Sequence, residues 1–175
     1  MKRILTAILI VFICNVLTAQ AQTNRVIWDE VKKENILYGK CDFKEYFDEE
    51  FKVWFDEEYN QYIPNVNVFD GITYTPFDSI YVFFSTWCSD SRREVPRFVK
   101  FLDEYPNCIS FDYSRVKYFA LDSQKHTDII NTKQFDINFV PTFIFYSKGN
   151  EIGRIIEEPT NEFLEKDVKE FLLEQ

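Results

Sequence analysis

At 175 residues, with 46% hydrophobic and 18% aromatic content, the chain is long enough for one packed domain plus an extension, and too apolar for disorder. Four glycines and six prolines, with no fixed-period self-similarity, exclude repeat arrays and low-complexity tails. A formal charge of −9 disfavours nucleic acid and anionic lipid surfaces as partners, because both require clustered Lys and Arg.

Lys2 and Arg3 precede an apolar stretch from Ile4 to Leu17, and Ala19-Gln20-Ala21 fits a small-x-small cleavage site. Residues 1–21 therefore read as a cleaved export signal. The apolar run falls short of the roughly 20 residues of a spanning helix, so no stable membrane insertion is expected after cleavage. Cleavage leaves 18 cations against 29 acids, a formal charge of −11. It also removes Cys14 and leaves Cys41, Cys88 and Cys108. An odd number of cysteines in an oxidising compartment leaves at least one thiol free or transiently paired.

Residues 22–75 form an N-terminal extension. Asn35 to Tyr38 is a candidate short strand. Asp42 suits a helix N-cap, followed by Phe43, Phe47, Phe51, Trp54 and Phe55 at helical spacing, with acids on the other positions. An aromatic stripe of this kind predicts packing on the main domain ahead of docking to a partner. Pro64 ends the helix, and Asn65 to Pro76 is a turn-rich connector.

Residues 76–175 carry the main domain. Ser79 to Ser85 is an apolar run of strand length without polar alternation, as in a strand buried on both faces. Ser89 to Tyr105 has helical periodicity, Arg115 to Leu121 alternates as a second strand, and Thr127 to Phe135 predicts a short helix. Pro141 introduces a third strand, Thr142 to Ser147, and Lys148-Gly149-Asn150 turns the chain into a fourth, Glu151 to Ile156. Thr160 caps a final helix running to about Leu173. The order predicts an α/β fold with a mixed central sheet and helices on both faces.

Cys88 lies where the buried strand hands over to a helix. Unpaired N–H groups and the partial positive charge of a first helical turn favour thiolate over thiol. Ser91, three residues on, is placed to donate its hydroxyl to the sulfur, and Arg92 and Arg93 add positive charge while Asp90 opposes it. Cys88 and Ser91 are the candidate catalytic pair, with Trp87, Asp90 and Arg92 in support. Cys41 is a candidate resolving thiol, although a packing role fits a cysteine more often. Cys108, at the far end of the helix, is too distant to meet Cys88. With His126 the only histidine, no metal-ligand spacing appears, and no cofactor motif is present.

Trp87-Cys88-x-x-Ser91 after an apolar strand, Pro96 eight residues past the cysteine, and Val140-Pro141-Thr142 before a strand together resemble the thioredoxin superfamily. The likeness runs from about Ser79 to the C-terminus and, with the aromatic helix upstream, extends to exported thioredoxin-like proteins of Bacteroidetes-type bacteria. It implies a thioredoxin-like fold in which Cys88 forms mixed disulfides and the Val140–Pro141 bond is cis and beside it. It further implies that the Val140 backbone pairs with an extended substrate and that Trp87 shields the sulfur. Two departures stand out. The second cysteine of the motif is Ser91, and the buried acid expected six residues before the nucleophile is Val82.

A dithiol cycle is therefore closed at this motif, while mixed-disulfide exchange stays open. Three functions remain. One is a monothiol thiol-disulfide oxidoreductase or isomerase of the bacterial periplasm, acting on protein or small-molecule thiols and disulfides. Another is a redox-inert binding module for extended peptides. The third is a cluster- or glutathione-binding domain like monothiol glutaredoxins, whose surroundings this chain lacks.

Overall fold

The computed structural model describes residues 22–45, 48–71, 77–104 and 113–173. The expected export signal over residues 1–21 with Cys14, together with Phe47 and Cys108, lies outside the described residues.

The chain opens with an antiparallel hairpin of β1 (Val26–Asp29) and β2 (Glu34–Leu37). Then β3 (Gly39–Cys41) joins the main sheet. Helix α1 (Glu49–Gln61) follows, then a 3-10 turn (Val66–Phe69), β4 (Ser79–Phe84), α2 (Ser89–Glu104) and β5 (Val116–Ala120). A 3-10 turn (Thr132–Phe135) leads to β6 (Thr142–Ser147), β7 (Asn150–Ile156) and α3 (Leu164–Leu173). The five strands run in the order β3-β5-β4-β6-β7, with β4 parallel to β5 and the other pairings antiparallel. This is the expected α/β architecture with a mixed sheet. Central β4 is buried at Ile80, Val82, Phe83 and Phe84, as its unbroken apolar run requires.

Both faces of the sheet carry a core. On one, Ile80, Val82, Phe84, Phe143 and Phe145 meet Phe51 and Phe55 of α1, Phe98 and Leu102 of α2, and Leu164 and Val168 of α3. On the other, Phe83, Phe119, Leu121 and Ile144 are covered by Ile137, Val140 and partly buried Trp87, Cys88 and Phe135. The cover on that second face is irregular: where the sequence predicts a helix over 127–135, only the 3-10 turn forms. Asn131 caps it by accepting the Lys133 N–H, and Asp136 ends it in the left-handed region at φ 52°.

Two helix starts differ from expectation. Helix α1 begins at Glu49 after Asp48, and Asp42 instead accepts the Lys44 N–H in a turn at 2.8 Å. Helix α3 begins at Leu164; Thr160 precedes it and donates its N–H to buried Asp167 at 2.7 Å. The Asp42 side chain, accepting from the backbone nearby, satisfies a turn as well as it would a cap, so spacing alone does not separate the two; at Thr160 the acceptor is the Asp167 carboxylate from within the helix.

The extension is not a separate unit. Gly39 and Cys41 pair with Ala120 and Tyr118 across the sheet edge. Phe55 stacks on Phe43 at 4.8 Å and on Tyr59 at 5.9 Å, with Phe51 and Phe55 both in the main core. The aromatic stripe therefore packs on the domain. Removing the Phe55 ring should cost about 3–5 kcal/mol in transfer and cavity terms. Chemical denaturation of Phe55→Ala should show that loss in a single transition; an early transition confined to the extension would contradict an integrated core.

Candidate functional site

The site is built where β4 ends. Ser85 and Thr86, both fully buried, supply polar groups just past an apolar strand. The Ser85 hydroxyl donates to the Leu121 carbonyl at 2.9 Å, its carbonyl accepts the Cys88 N–H at 3.1 Å, and its N–H donates to Ser91 Oγ at 3.2 Å. Thr86 Oγ1 accepts the Leu37 N–H at 3.2 Å, and its carbonyl accepts from Arg92 Nε. These bonds satisfy the Ser85 peptide groups and the Thr86 carbonyl as the strand stops, so the turn carrying Trp87 and Cys88 is held from both sides.

Cys88 is half-buried, and its thiol donates to the Val140 carbonyl at 3.1 Å. The Val140–Pro141 peptide bond is cis. Two segments separated by 52 residues are thereby brought to one point. Trp87 is half-buried beside the sulfur, in the same second-face cluster as Val140.

The other site residues are placed differently from the expectation. Ser91 is fully buried and its oxygen accepts from the Ser85 N–H, so it serves the strand-to-helix turn; a bond to the Cys88 sulfur is not among its contacts. Asp90 pairs with Arg93 at 2.9 Å, and Arg93 also meets Glu94 at 2.6 Å and Glu158 at 3.5 Å. The hydrogen bond to Glu94 holds the Arg93 charge above its ordinary pKa, but three carboxylates neutralise it. Arg92 is tied to the Thr86 carbonyl and lies 3.8 Å from Glu34. The helix arginines are engaged with carboxylates, not presented to the thiol.

Cys41 is not brought to Cys88. It is 3% exposed on the opposite sheet face and pairs across β5 level with Val82, two strands from β4 and so about 10 Å from it. Burial pushes its thiol pKa up to about 12. Such a thiol is neither a nucleophile nor within reach, which removes it as a resolving group. His126 is exposed, and among the described residues no cluster of metal-ligating side chains occurs. Nor, among them, is any helix long and apolar enough to cross a membrane.

What the sequence reading missed is β1 and its pairing with β2, the strand expected at Asn35 to Tyr38, in a hairpin whose turn lies over the site. Asp29, 5% exposed, accepts the Val31 and Lys32 N–H groups at 2.8 Å each through Oδ1, and the Ser123 N–H at 2.9 Å through Oδ2. The Lys32 ammonium sits 4.0 Å over the centre of the Trp87 ring. Asp29, two residues before Val31 and three before Lys32, had the spacing of an Asx-type turn, the one local signal that pointed here.

A thioredoxin family model matches residues 59–170. The chain belongs to the thioredoxin family. Among curated proteins it is 27% identical over 89 residues to thioredoxin-like protein R548 of Acanthamoeba polyphaga mimivirus, covering 50% of this chain and 58% of the viral protein. It is 30% identical over 89 residues to mitochondrial thioredoxin-3 of Saccharomyces cerevisiae, covering 50% and 61%. The matched part thus spans about three-fifths of these relatives. Among solved structures, the oxidised yeast mitochondrial thioredoxin 3 aligns with a TM-score of 0.37 at 21% identity, over 67% of this chain and 99% of its own. A Pseudomonas aeruginosa protein aligns with a TM-score of 0.42 at 12% identity, over 65% and 67%. The matched region contains β4 to β7, Cys88 and the segment before β6; the hairpin and β3 precede it.

Two outcomes follow from the site's electrostatics and hydrogen bonding. Burial alone would raise the Asp29 pKa, but hydrogen bonds from the Lys32, Ser123 and Val31 backbone bring it from 3.8 down to about 2. A depressed carboxylate stabilises the fold above its unfolded-state pKa. That contribution should fade as pH falls from about 4 to 2, and Asp29→Asn should flatten this part of a stability–pH curve. Ser91→Ala leaves the buried Ser85 N–H without its acceptor and should cost about 1–3 kcal/mol in denaturant unfolding.

Proposed function

We propose that the protein is an exported monothiol thiol-disulfide oxidoreductase or isomerase acting through Cys88. The observation that carries this reading is the thiol held 3.1 Å from the Val140 carbonyl beside a cis proline, half-open to solvent. Family membership supports thiol-disulfide chemistry in general. Loss of the partner thiol at Ser91, and the separation of Cys41, support a one-thiol cycle. The basic, apolar and small-residue order of residues 1–21 supports export, and an acidic chain after cleavage supports protein or small-molecule thiols over nucleic acid as partners.

In such a cycle the Cys88 thiolate attacks one sulfur of a disulfide, releasing the other as a thiolate and leaving a mixed disulfide on Cys88. A second thiol, from the substrate itself or from a low-molecular-weight thiol, then displaces Cys88. One S–S bond breaks for each formed. When the second thiol belongs to the substrate the result is isomerisation; when it is external, the substrate leaves in a mixed disulfide with it, which a further external thiol cleaves, so that two external thiols are oxidised to a disulfide for each substrate disulfide reduced.

Reactivation of scrambled ribonuclease and reduction of insulin, both with glutathione present, test this reading. The protein should accelerate at least one of them, Cys88→Ser should abolish the effect, and Cys41→Ser should leave it within about twofold, since a buried neutral thiol contributes little. No acceleration over glutathione alone would favour a redox-inert module that binds extended peptides in the same groove.

A further inference from the structure

The hairpin turn that overlies Trp87 has a property that the thiol cycle does not use. This chain carries a large excess of acids, and the cations beside the site in sequence are paired with them: Lys33 with Glu30, Arg92 with Glu34, and Arg93 with Asp90. Lys32 is different. Among the described residues its ammonium has the Trp87 ring as its contact and no carboxylate. It is also held in place by its own backbone. Its N–H and that of Val31 are both bound by Asp29, the Lys33 N–H donates to the Asp29 carbonyl at 2.8 Å, and Asp29 is tied to Ser123 beyond β5. The Leu37 N–H on Thr86 fixes the other strand of the hairpin one residue before Trp87.

A positive charge so anchored, resting on the residue next to the nucleophile and free of a counter-charge, is arranged to meet an anion arriving at Cys88. From this we infer that Lys32 is a specificity-determining residue, selecting disulfides that bear a carboxylate close to the sulfur. The inference rests on Cys88 performing disulfide exchange. Lys32 takes no part in bond making; the mixed disulfide forms with Cys88 and the leaving thiolate departs as in the cycle above. The ring fixes where the ammonium sits, and the ammonium lowers the free energy of an anionic substrate in the encounter and in the exchange step. The net negative charge of the rest of the chain makes this local exception matter, because without it an acidic substrate is repelled at long range.

The test compares rates of single-turnover exchange, each taken as the part lost in Cys88→Ser, with three probes of different charge. These are 5,5′-dithiobis(2-nitrobenzoate), whose carboxylates are negative, neutral 2-hydroxyethyl disulfide, and cationic cystamine. Lys32→Glu should slow the anionic probe about five- to tenfold relative to the neutral one and speed the cationic probe, with both effects shrinking at high salt. Lys32→Gln should give the same order with smaller changes. Lys148→Glu, at the far end of β6, alters net charge equally and should leave the three-probe ratios within about twofold, since that distance is screened. If Lys32→Glu changes all three rates alike, or leaves their ratios unchanged, the charge of Lys32 does not select substrate and the inference fails. If the wild-type protein exchanges with none of the probes, the thiol-exchange reading itself falls, and this inference with it.

Discussion

The structure depends on how the chain leaves its central strand. A strand buried on both faces ends with peptide groups that water cannot reach, and each must find a partner or cost about 1–3 kcal/mol. Ser85 and Thr86 resolve this by turning their own groups outward to neighbours: Leu121 after β5, Ser91 in α2, Leu37 in the hairpin and Arg92. The position of Cys88 follows from these bonds. Its N–H is fixed by Ser85, and its sulfur comes to rest against Val140.

That arrangement explains the buried serine at the place where the family motif has its second thiol. Ser91 at zero exposure is spent on the strand end, an acceptor for a peptide group. The residue keeps a structural task, and in the proposed cycle the chemistry falls to one sulfur. Cys41 is excluded from that chemistry by the same layering: it points into the aromatic core on the helical face, where desolvation keeps it protonated, and Cys88 belongs to the opposite face.

Charge is distributed with similar economy. The arginines that follow Cys88 in sequence are bound to Asp90, Glu94, Glu158, Glu34 and the Thr86 carbonyl. They brace α2 against its neighbours. The cation that stands over the site comes from a hairpin some 56 residues earlier in the chain, seated through Asp29 and held on the Trp87 ring.

The strands β4 to β7 and helix α2 were legible in the sequence, because continuous apolar runs and a strong helical period are local signals, while the conjunction of Trp87-Cys88 with Val140-Pro141 was an implication of the family resemblance. The stripe of Phe51 and Phe55 correctly announced a packed helix, though its start was misplaced by an Asp that caps a turn instead. The covering segment over residues 127–135 was read as a helix and is mostly irregular, since apolar residues there are held by the sheet beneath and not by helical hydrogen bonds. Pairing between distant segments has no local signature. The face to which Cys41 points, the partner taken by Ser91 and the seat of Lys32 on Trp87 were decided only when sheet register and buried polar groups had to be satisfied together.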